Sequence, residues 1–248
     1  MLKPIGKLRV AEEIVQQLRN LILRGVYGVG DKLPPERKLA DDLGVNRASL
    51  REAIKSLEQM GLVRTRQGDG TRVLPFMETA GVDLVSHLVL GTADGSPNTE
   101  VLADVLEFRR IFARDVAELA ALRATPEDLA RLDEIARRAD AELSADEMLK
   151  LDFEFYVALT KAARNRVFQL LINTTRAAVA AHAVFFAQLT PSAQVQRKCH
   201  RDVLAGLAAK DPVATAQAVN DYLLQAARLL QVALRADSDL VDKSTAIG

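Results

Sequence analysis

The sequence predicts a mainly α-helical protein, with an N-terminal winged helix-turn-helix that includes a small β-hairpin, followed by an antiparallel all-α bundle of six to seven helices. Three observations predict it. Two helical segments are separated by only three residues, 44–46, and two β-prone segments flank the glycine-rich turn at 67–70. After Pro75, alanine and leucine become frequent and no strand pattern occurs. The predicted domains are 1–75, a linker helix and loop at 76–98, and 99–248.

The helices of the first domain carry ordinary start and stop signals. Apolar residues recur at helical spacing from Val10 to Leu23, and Gly25 follows as a stop. A short helix is predicted at 36–43, directly after two prolines. Asn46 is placed to cap a third helix that reaches about Met60.

The second part of the chain is predicted to be helical throughout. The linker, 76–90, could form one helix before the loop at 91–98. Thr125 begins a strong helix start, because proline and two acidic residues follow it. The other predicted helices cover 99–123, 144–163, 165–188, 192–209 and 212–236.

Composition excludes several classes of protein. Of the 248 residues, 49% are hydrophobic and 27% charged, as in soluble globular proteins. Cys199 is the only cysteine, which excludes an internal disulfide and a cysteine-rich metal site and favours a reducing compartment. The N-terminus lacks the apolar core of a signal peptide, and the longest apolar stretch, 177–187, is too short to span a bilayer. We therefore expect a cytoplasmic protein that does not bind membranes.

The formal charge of zero hides an asymmetry between the two parts. Residues 1–76 contain 14 basic and 9 acidic side chains, a net charge of +5, and the remaining 172 residues carry −5. A basic N-terminal domain beside an acidic remainder is one reason to consider nucleic acid as a partner.

The third predicted helix has the residues of a DNA-reading helix. Arg47 and Arg51 lie one turn apart on one face, and arginine suits the O6 and N7 atoms of guanine. Asn46 and Ser49 can bond phosphates from the positive end of the helix, and Arg37 could hold the DNA backbone. A solvated charged face is the alternative. The turn, the cap, the paired arginines and the basic hairpin together favour DNA binding.

These residues resemble the winged-helix domain of GntR-family bacterial transcription regulators. The resemblance implies that Arg37, Arg47 and Arg51 meet the operator, and that Gln67 and Gly68 at the tip of the wing reach the minor groove. The matching runs are 33–40, 43–53 and 57–63.

The second domain is similar, over about residues 99–236, to the ligand-binding domain of the FadR subfamily, on the runs 105–109, 151–156 and 200–204. Most of these domains hold a divalent metal with one aspartate and three histidines. Here Asp152 and His200 keep two of the four positions, whereas Tyr156 and Tyr222 replace two histidines. Because tyrosine is a poor substitute for imidazole on such an ion, we expect no metal and no other cofactor.

In two respects the sequence resembles the members of this subfamily that respond to long-chain acyl-CoA. It lacks the full set of metal ligands, and its linker sequence at 76–84 is similar to theirs. The resemblance implies that Arg109 lies near the charged end of the ligand, and that Phe185 and Phe186 lie beside an acyl chain. We therefore expect a long-chain fatty acid or its CoA thioester to release the protein from its operator, as with a repressor. A small carboxylate held by Arg109, Tyr156 and Tyr222 is the alternative, in which the two phenylalanines belong to the core.

The expected partners are a palindromic operator in double-stranded DNA and a second copy of the chain, because one recognition helix makes few contacts and a two-fold dimer reads a palindrome. Two other functions were weighed. In an architectural DNA binder without effector, the bundle would only dimerise. An enzyme would need Asp152, Tyr156, His200 and Tyr222 as an acid–base cluster, but no nucleophile motif, phosphate loop or complete metal set accompanies them. We therefore expect a regulator and not an enzyme.

Overall fold

The computed structural model describes residues 8–89, 98–139, 141–181, 186–187 and 190–245. For residues 8–9, 174–181 and 230–245 it describes the backbone alone, and for the others it also describes the side chains. The chain divides into two compact units, residues 1–98 and residues 99–248. The predicted fold class is confirmed, since the described residues are mainly helical and contain one small antiparallel sheet.

The first unit has the order of a winged helix. Its elements are α1 (Leu8–Leu23), α2 (Glu36–Leu43), α3 (Arg47–Gln59), β1 (Val63–Arg66), β2 (Gly70–Val73), α4 (Phe76–Thr79), a 3₁₀ turn (Val82–Leu84) and α5 (Val85–Val89). The hairpin pairs Val63 with Val73 and Arg66 with Gly70.

The turn between α2 and α3 has the predicted chemistry. Gly44 ends α2 in the left-handed conformation, with φ of 63°, and its N–H donates back to the last turn. The side-chain oxygen of Asn46 accepts a hydrogen bond of 2.9 Å from the Ser49 N–H and so caps α3. This cap fixes where the recognition helix begins.

The core of the first unit lies between the three helices and the hairpin. Apolar residues of α1 and α3 bury their helical stripes against each other, and both strands add one inward valine. The largest fully buried side chains there are Leu18, Ile22, Leu50, Leu57, Leu62 and Val63. The face of α3 opposite this stripe is therefore left to solvent.

The prediction of one linker helix over 76–90 is wrong, because the chain breaks at Ala80, which is extended. The break follows from two contacts with the winged helix. The Thr79 hydroxyl donates to the Gly61 carbonyl at 2.7 Å, and Leu84 is buried in the core of this unit. His87 lies 3.1 Å from a terminal nitrogen of Arg19 on α1. Residues 76–89 are therefore packed onto the winged helix.

The second unit is a helical bundle with no strand among its described residues. Its helices are α6 (Thr99–Arg123), α7 (Pro126–Arg138), α8 (Ala145–Ala162), α9 (Arg166–Ala181), α10 (Ala193–Ala209) and α11 (Pro212–Thr245). The helix start predicted at Thr125 is confirmed, and the structure adds that Thr125 and Asp128 form a capping box there. The last helix extends beyond the predicted end at residue 236.

Small side chains determine how this bundle packs. The inner face of α6 carries Ala113, Ala117, Ala120 and Ala121, all buried, which lets α11 run close beside it. Leucine and phenylalanine from the neighbouring helices fill the remaining space. No helix in the described part of the chain has the length and apolar character to cross a membrane.

We expect Gly61→Ala to destabilise the protein by more than the ordinary cost of a left-handed residue, about 1 kcal/mol. Gly61 has φ of 74°, and an added Cβ would lie 2.3 Å from the Thr79 carbonyl oxygen. Gly44→Ala is the matched control, since Gly44 has φ of 63° and no neighbour within 4 Å of an added Cβ. Urea unfolding of the full chain measures both. Equal losses in the two variants would contradict the close linker contact.

Candidate functional site

The predicted DNA-contacting residues lie on α2, on α3 and at the tip of the hairpin, and all except Ser49 are exposed. Arg37 on α2 and Arg47 on α3 are exposed, and neither has an acidic partner among the described residues. Ser49 is only 4% exposed, so its hydroxyl is not presented to solvent, and the Asn46 side-chain oxygen is engaged in the helix cap. A phosphate contact from the first turn of α3 would therefore use backbone N–H groups.

Arg51 differs from these two arginines because it is held in place. Its Nε donates a hydrogen bond of 2.8 Å to Oε2 of Glu36, the first residue of α2. The pair joins the two helices of the helix-turn-helix on their exposed side. The sequence analysis missed Glu36, although it directly precedes Arg37 at the start of a helix.

The tip of the hairpin is fixed by a second acidic residue. Asp69 accepts from Nε of Arg72 at 2.7 Å and also pairs with Lys32. These two partners hold the pKa of Asp69 well below its usual range. Gln67 and Gly68 lie exposed at the turn, with Gly68 in the left-handed conformation at φ of 83°. The conformation of the turn predicted to enter the minor groove is therefore fixed by the contacts of Asp69 and by Gly68.

In the second unit, the bundle interior holds a polar cluster around an ion pair. A terminal nitrogen of Arg109 on α6 lies 2.6 Å from Oδ2 of Asp152 on α8. The side chains are 25% and 10% exposed respectively. Tyr156, one turn after Asp152, and Tyr222 on α11 lie close enough for their hydroxyls to interact electrostatically with both charges. The fold therefore brings together residues that are far apart in the sequence, of which Arg109 and Tyr222, 113 positions apart, are the most distant pair.

Most polar groups of this cluster have no hydrogen-bond partner within the described residues. The unpartnered buried atoms are the hydroxyl of Tyr156, both ring nitrogens of His200 and Oε1 of Gln196. The hydroxyl of Tyr222 also lacks a hydrogen bond of good geometry, but it lies close enough to the Asp152 carboxylate to interact with it. Buried polar groups in proteins are usually satisfied. Polar atoms that are buried without a partner can be satisfied by a polar ligand or by bound water, which makes this cluster a candidate ligand site.

The protonation states in the cluster follow from burial. Burial lowers the pKa of His200 to about 4, so the ring is neutral at pH 7. Burial, with the negative Asp152 nearby, raises the pKa of Tyr156 and of Tyr222, so both hydroxyls stay protonated. Arg109 is consequently the positive centre of the cluster, surrounded by neutral donors and one carboxylate.

These side chains do not fit a divalent metal ion. The one carboxylate, Asp152, is already paired with a guanidinium, which would repel a dication. The tyrosines hold their protons, which leaves His200 as the one uncharged nitrogen ligand of the set. The described residues contain no group of three histidine, cysteine, aspartate or glutamate side chains placed for a metal.

The structure adds Gln196 and Cys199 to the residues that were predicted for this region. Gln196 is fully buried one turn before His200 on α10, and its amide nitrogen donates to the Met148 carbonyl at 3.0 Å. The four-residue spacing on one helix was an available signal. Cys199 and Tyr222 line a cleft of about 270 Å³ between α10 and α11 that borders the cluster.

Of the two predicted acyl-chain residues, Phe186 is described and buried, with 5% of its surface exposed. Phe185 lies outside the described residues. The ring of His200 stacks on Phe155 at 3.9 Å, which orients the imidazole from the apolar side. Among the described residues, Phe155 is thus the aromatic ring in contact with the cluster.

Comparison with known proteins identifies both units. Residues 10–73 match the family described as bacterial regulatory proteins, gntR family, and residues 104–225 match the FCD domain. The HTH-type transcriptional regulator Mce2R of Mycobacterium tuberculosis is 32% identical over 222 residues, which cover 90% of this chain and 92% of the relative. The chain belongs to the GntR family of transcriptional regulators.

More distant relatives agree with this regulator class. The Glc operon transcriptional activator of Escherichia coli is 30% identical over 64% of this chain and 62% of its own length. The solved structure of Lar from Listeria monocytogenes superimposes with a TM-score of 0.57 at 16% identity, covering 93% of this chain and 99% of Lar, and so shares its fold. The matched domains and relatives are those of DNA-binding regulators and not of enzymes.

We expect the regulator to lose stability as the pH falls from 6.5 to 4. His200 has a pKa of about 4 in the folded protein and about 6.5 when unfolded. Between these values the unfolded chain binds a proton that the folded chain does not, so the free energy of unfolding decreases by up to about 3 kcal/mol.

The variant His200→Gln should remove this part of the pH dependence in urea unfolding at pH 7 and pH 4. His87→Gln is the comparison variant. Burial and the nearby Arg19 also lower the pKa of His87, but because His87 is only half-buried its removal should change the slope less than His200→Gln does. An unchanged slope in His200→Gln would show that the imidazole is not held neutral by burial.

Proposed function

We propose that this regulator binds a palindromic operator as a homodimer, and that a carboxylate compound bound at Arg109 changes its affinity for DNA. The observation that carries the effector site is the single guanidinium surrounded by buried, unpartnered hydroxyl, imidazole and amide groups. In the first unit, exposed arginines on α2 and α3 support the DNA contact.

The DNA-binding part of the proposal uses two kinds of contact. Arg47 and Arg51 lie in the first two turns of α3. A recognition helix reaches base edges in the major groove with side chains from these turns. Arg37 contacts the DNA backbone, and Gln67 and Gly68 enter the minor groove. Two copies on a two-fold axis supply the affinity that one helix lacks.

We expect Arg47→Ala to weaken operator binding by about 1–3 kcal/mol, roughly 5- to 150-fold in Kd, because a bidentate base contact is lost. The probe is a duplex selected by the parent protein from a random-sequence library. Arg114→Ala, which removes an exposed arginine of α6, should bind like the parent. Equal affinity of the Arg47 variant and the parent in a gel shift would refute the assignment.

The polar cluster favours a small carboxylate that carries further oxygen atoms. Its carboxylate would bind Arg109, and its hydroxyl or carbonyl groups would take the free donors and acceptors of Tyr156, Tyr222 and His200. The number of polar groups around Arg109, compared with one aromatic ring stacked on His200, supports a small ligand rich in oxygen.

A long-chain fatty acid or its CoA thioester is the second candidate. It is supported by the resemblance of the linker to acyl-CoA-responsive members of the FadR subfamily and by the buried Phe186. In this case Arg109 binds the charged end and the chain extends among apolar side chains. Repression relieved by the acyl compound is the corresponding regulatory behaviour.

Calorimetric titration of C2–C6 hydroxy and dicarboxylic acids and of C8–C16 fatty acids should separate the two effectors. We expect binding to a small acid and a flat response along the fatty-acid series. A buried tail would instead strengthen binding by about 0.8 kcal/mol per methylene, about fourfold each, and would select the second candidate.

In the same titrations Arg109→Gln should abolish effector binding. Because the change leaves Asp152 without its partner, thermal unfolding checks that the second unit stays folded, and the folded variant should keep the operator affinity of the ligand-free protein. Arg110→Gln is the matched control, because Arg110 hydrogen-bonds Asn220 and has no carboxylate partner in the described part of the bundle. Undiminished binding in the Arg109 variant would remove this residue from the effector site.

A further inference from the structure

Glu36 is an acidic residue on the basic surface of the first unit, where it contacts one arginine of the recognition helix. We infer that Glu36 is a specificity-determining residue, which holds Arg51 so that its two terminal nitrogens read a guanine. The inference rests on the proposed DNA contact of Arg51. It assigns a role to a residue that does not itself touch DNA.

The geometry leaves one edge of the guanidinium free. The Glu36 carboxylate accepts from Nε of Arg51 at 2.8 Å, while neither terminal nitrogen of Arg51 has a hydrogen-bond partner in the described structure. The Arg51 side chain is 64% exposed, so this free edge faces solvent. Because Nε is engaged, a bidentate contact with O6 and N7 of guanine must use the two terminal nitrogens end-on.

The charge of Glu36 favours a base over a phosphate as the partner of Arg51. A carboxylate beside the guanidinium offsets its positive charge and repels a phosphate that approaches the same arginine. A base edge carries no net charge and is not repelled. Arg37, without an acidic partner among the described residues, is better suited to a phosphate in this respect.

Fixing Arg51 also lowers the entropy that DNA binding must remove. A free arginine side chain samples many rotamers, and ordering it on DNA opposes binding. In this structure the Glu36 contact orders the guanidinium plane before DNA arrives. An exposed ion pair adds little to stability, so the pair can be changed without unfolding the protein.

The test compares four full-length proteins in selections from a random-sequence duplex library, followed by titration of every single-base variant of the selected site. They are the parent, Glu36→Gln, Arg51→Ala and the double variant. Glu52→Gln is the matched control, because it removes an exposed acidic charge from α3 itself. Thermal unfolding checks that each protein is folded.

We expect Glu36→Gln to lower discrimination, by about tenfold, at the same base pair that Arg51→Ala no longer reads. In the double variant the loss at that base pair should equal that of Arg51→Ala alone. Glu36→Gln should also bind non-specific duplex more tightly than the parent, while Glu52→Gln keeps discrimination at that base pair.

Unchanged discrimination in Glu36→Gln, or a loss that adds to that of Arg51→Ala, would overturn the inference and leave the proposed operator binding intact. A parent protein that selects no sequence at all would instead overturn the proposed DNA recognition, and this inference with it.

Discussion

The ion pair between Arg109 and Asp152 is the constraint around which the second unit is organised. A guanidinium with three-quarters of its surface covered requires a nearby negative charge, and Asp152 supplies it from the facing helix. The alanine-rich face of α6 is what lets the neighbouring helices come close enough to enclose this pair. Burial in the same interior keeps both tyrosines protonated and His200 neutral, and the charge of Asp152 further raises the pKa of the two tyrosines. The result is one ion pair in a setting that is otherwise neutral.

The first unit uses charge in a different way. Its basic surface is open to solvent, and its acidic residues act as local clamps on individual cations. Glu36 clamps a side chain of the recognition helix, and Asp69 clamps the turn of the wing through Arg72 and Lys32. Both clamps join segments that are separate in the secondary structure. The surface therefore combines arginines that have no acidic partner among the described residues with arginines whose direction is already set.

Local signals made most of the fold predictable. The cap at Asn46, the left-handed glycine at residue 44 and the capping box at Thr125 are each read from two or three adjacent residues, and each is present. The linker was mispredicted because the break in its helix depends on a distant residue. The carbonyl oxygen of Gly61 accepts a hydrogen bond from the Thr79 hydroxyl, and the two residues are far apart in sequence. The dependence on contacts between distant residues also explains which parts of the two sites could be predicted. The residues of the bundle cluster were found through a family pattern, whereas the partners of the individual charges, such as Glu36 for Arg51, depend on tertiary geometry that spacing does not encode.

The contact between Gly61 and Thr79 sets where this protein can be recombined with others of its family. Residues 76–89 complete the core of the winged helix through Leu84, and they close over a glycine that admits no Cβ. A chimaera cut at Pro75 would expose that core and confront Gly61 with a foreign segment. A chimaera that carries the segment through residue 89 keeps the glycine and its threonine together. The exchangeable module is thus longer than the winged helix itself, and the two residues of the contact must be inherited as a unit.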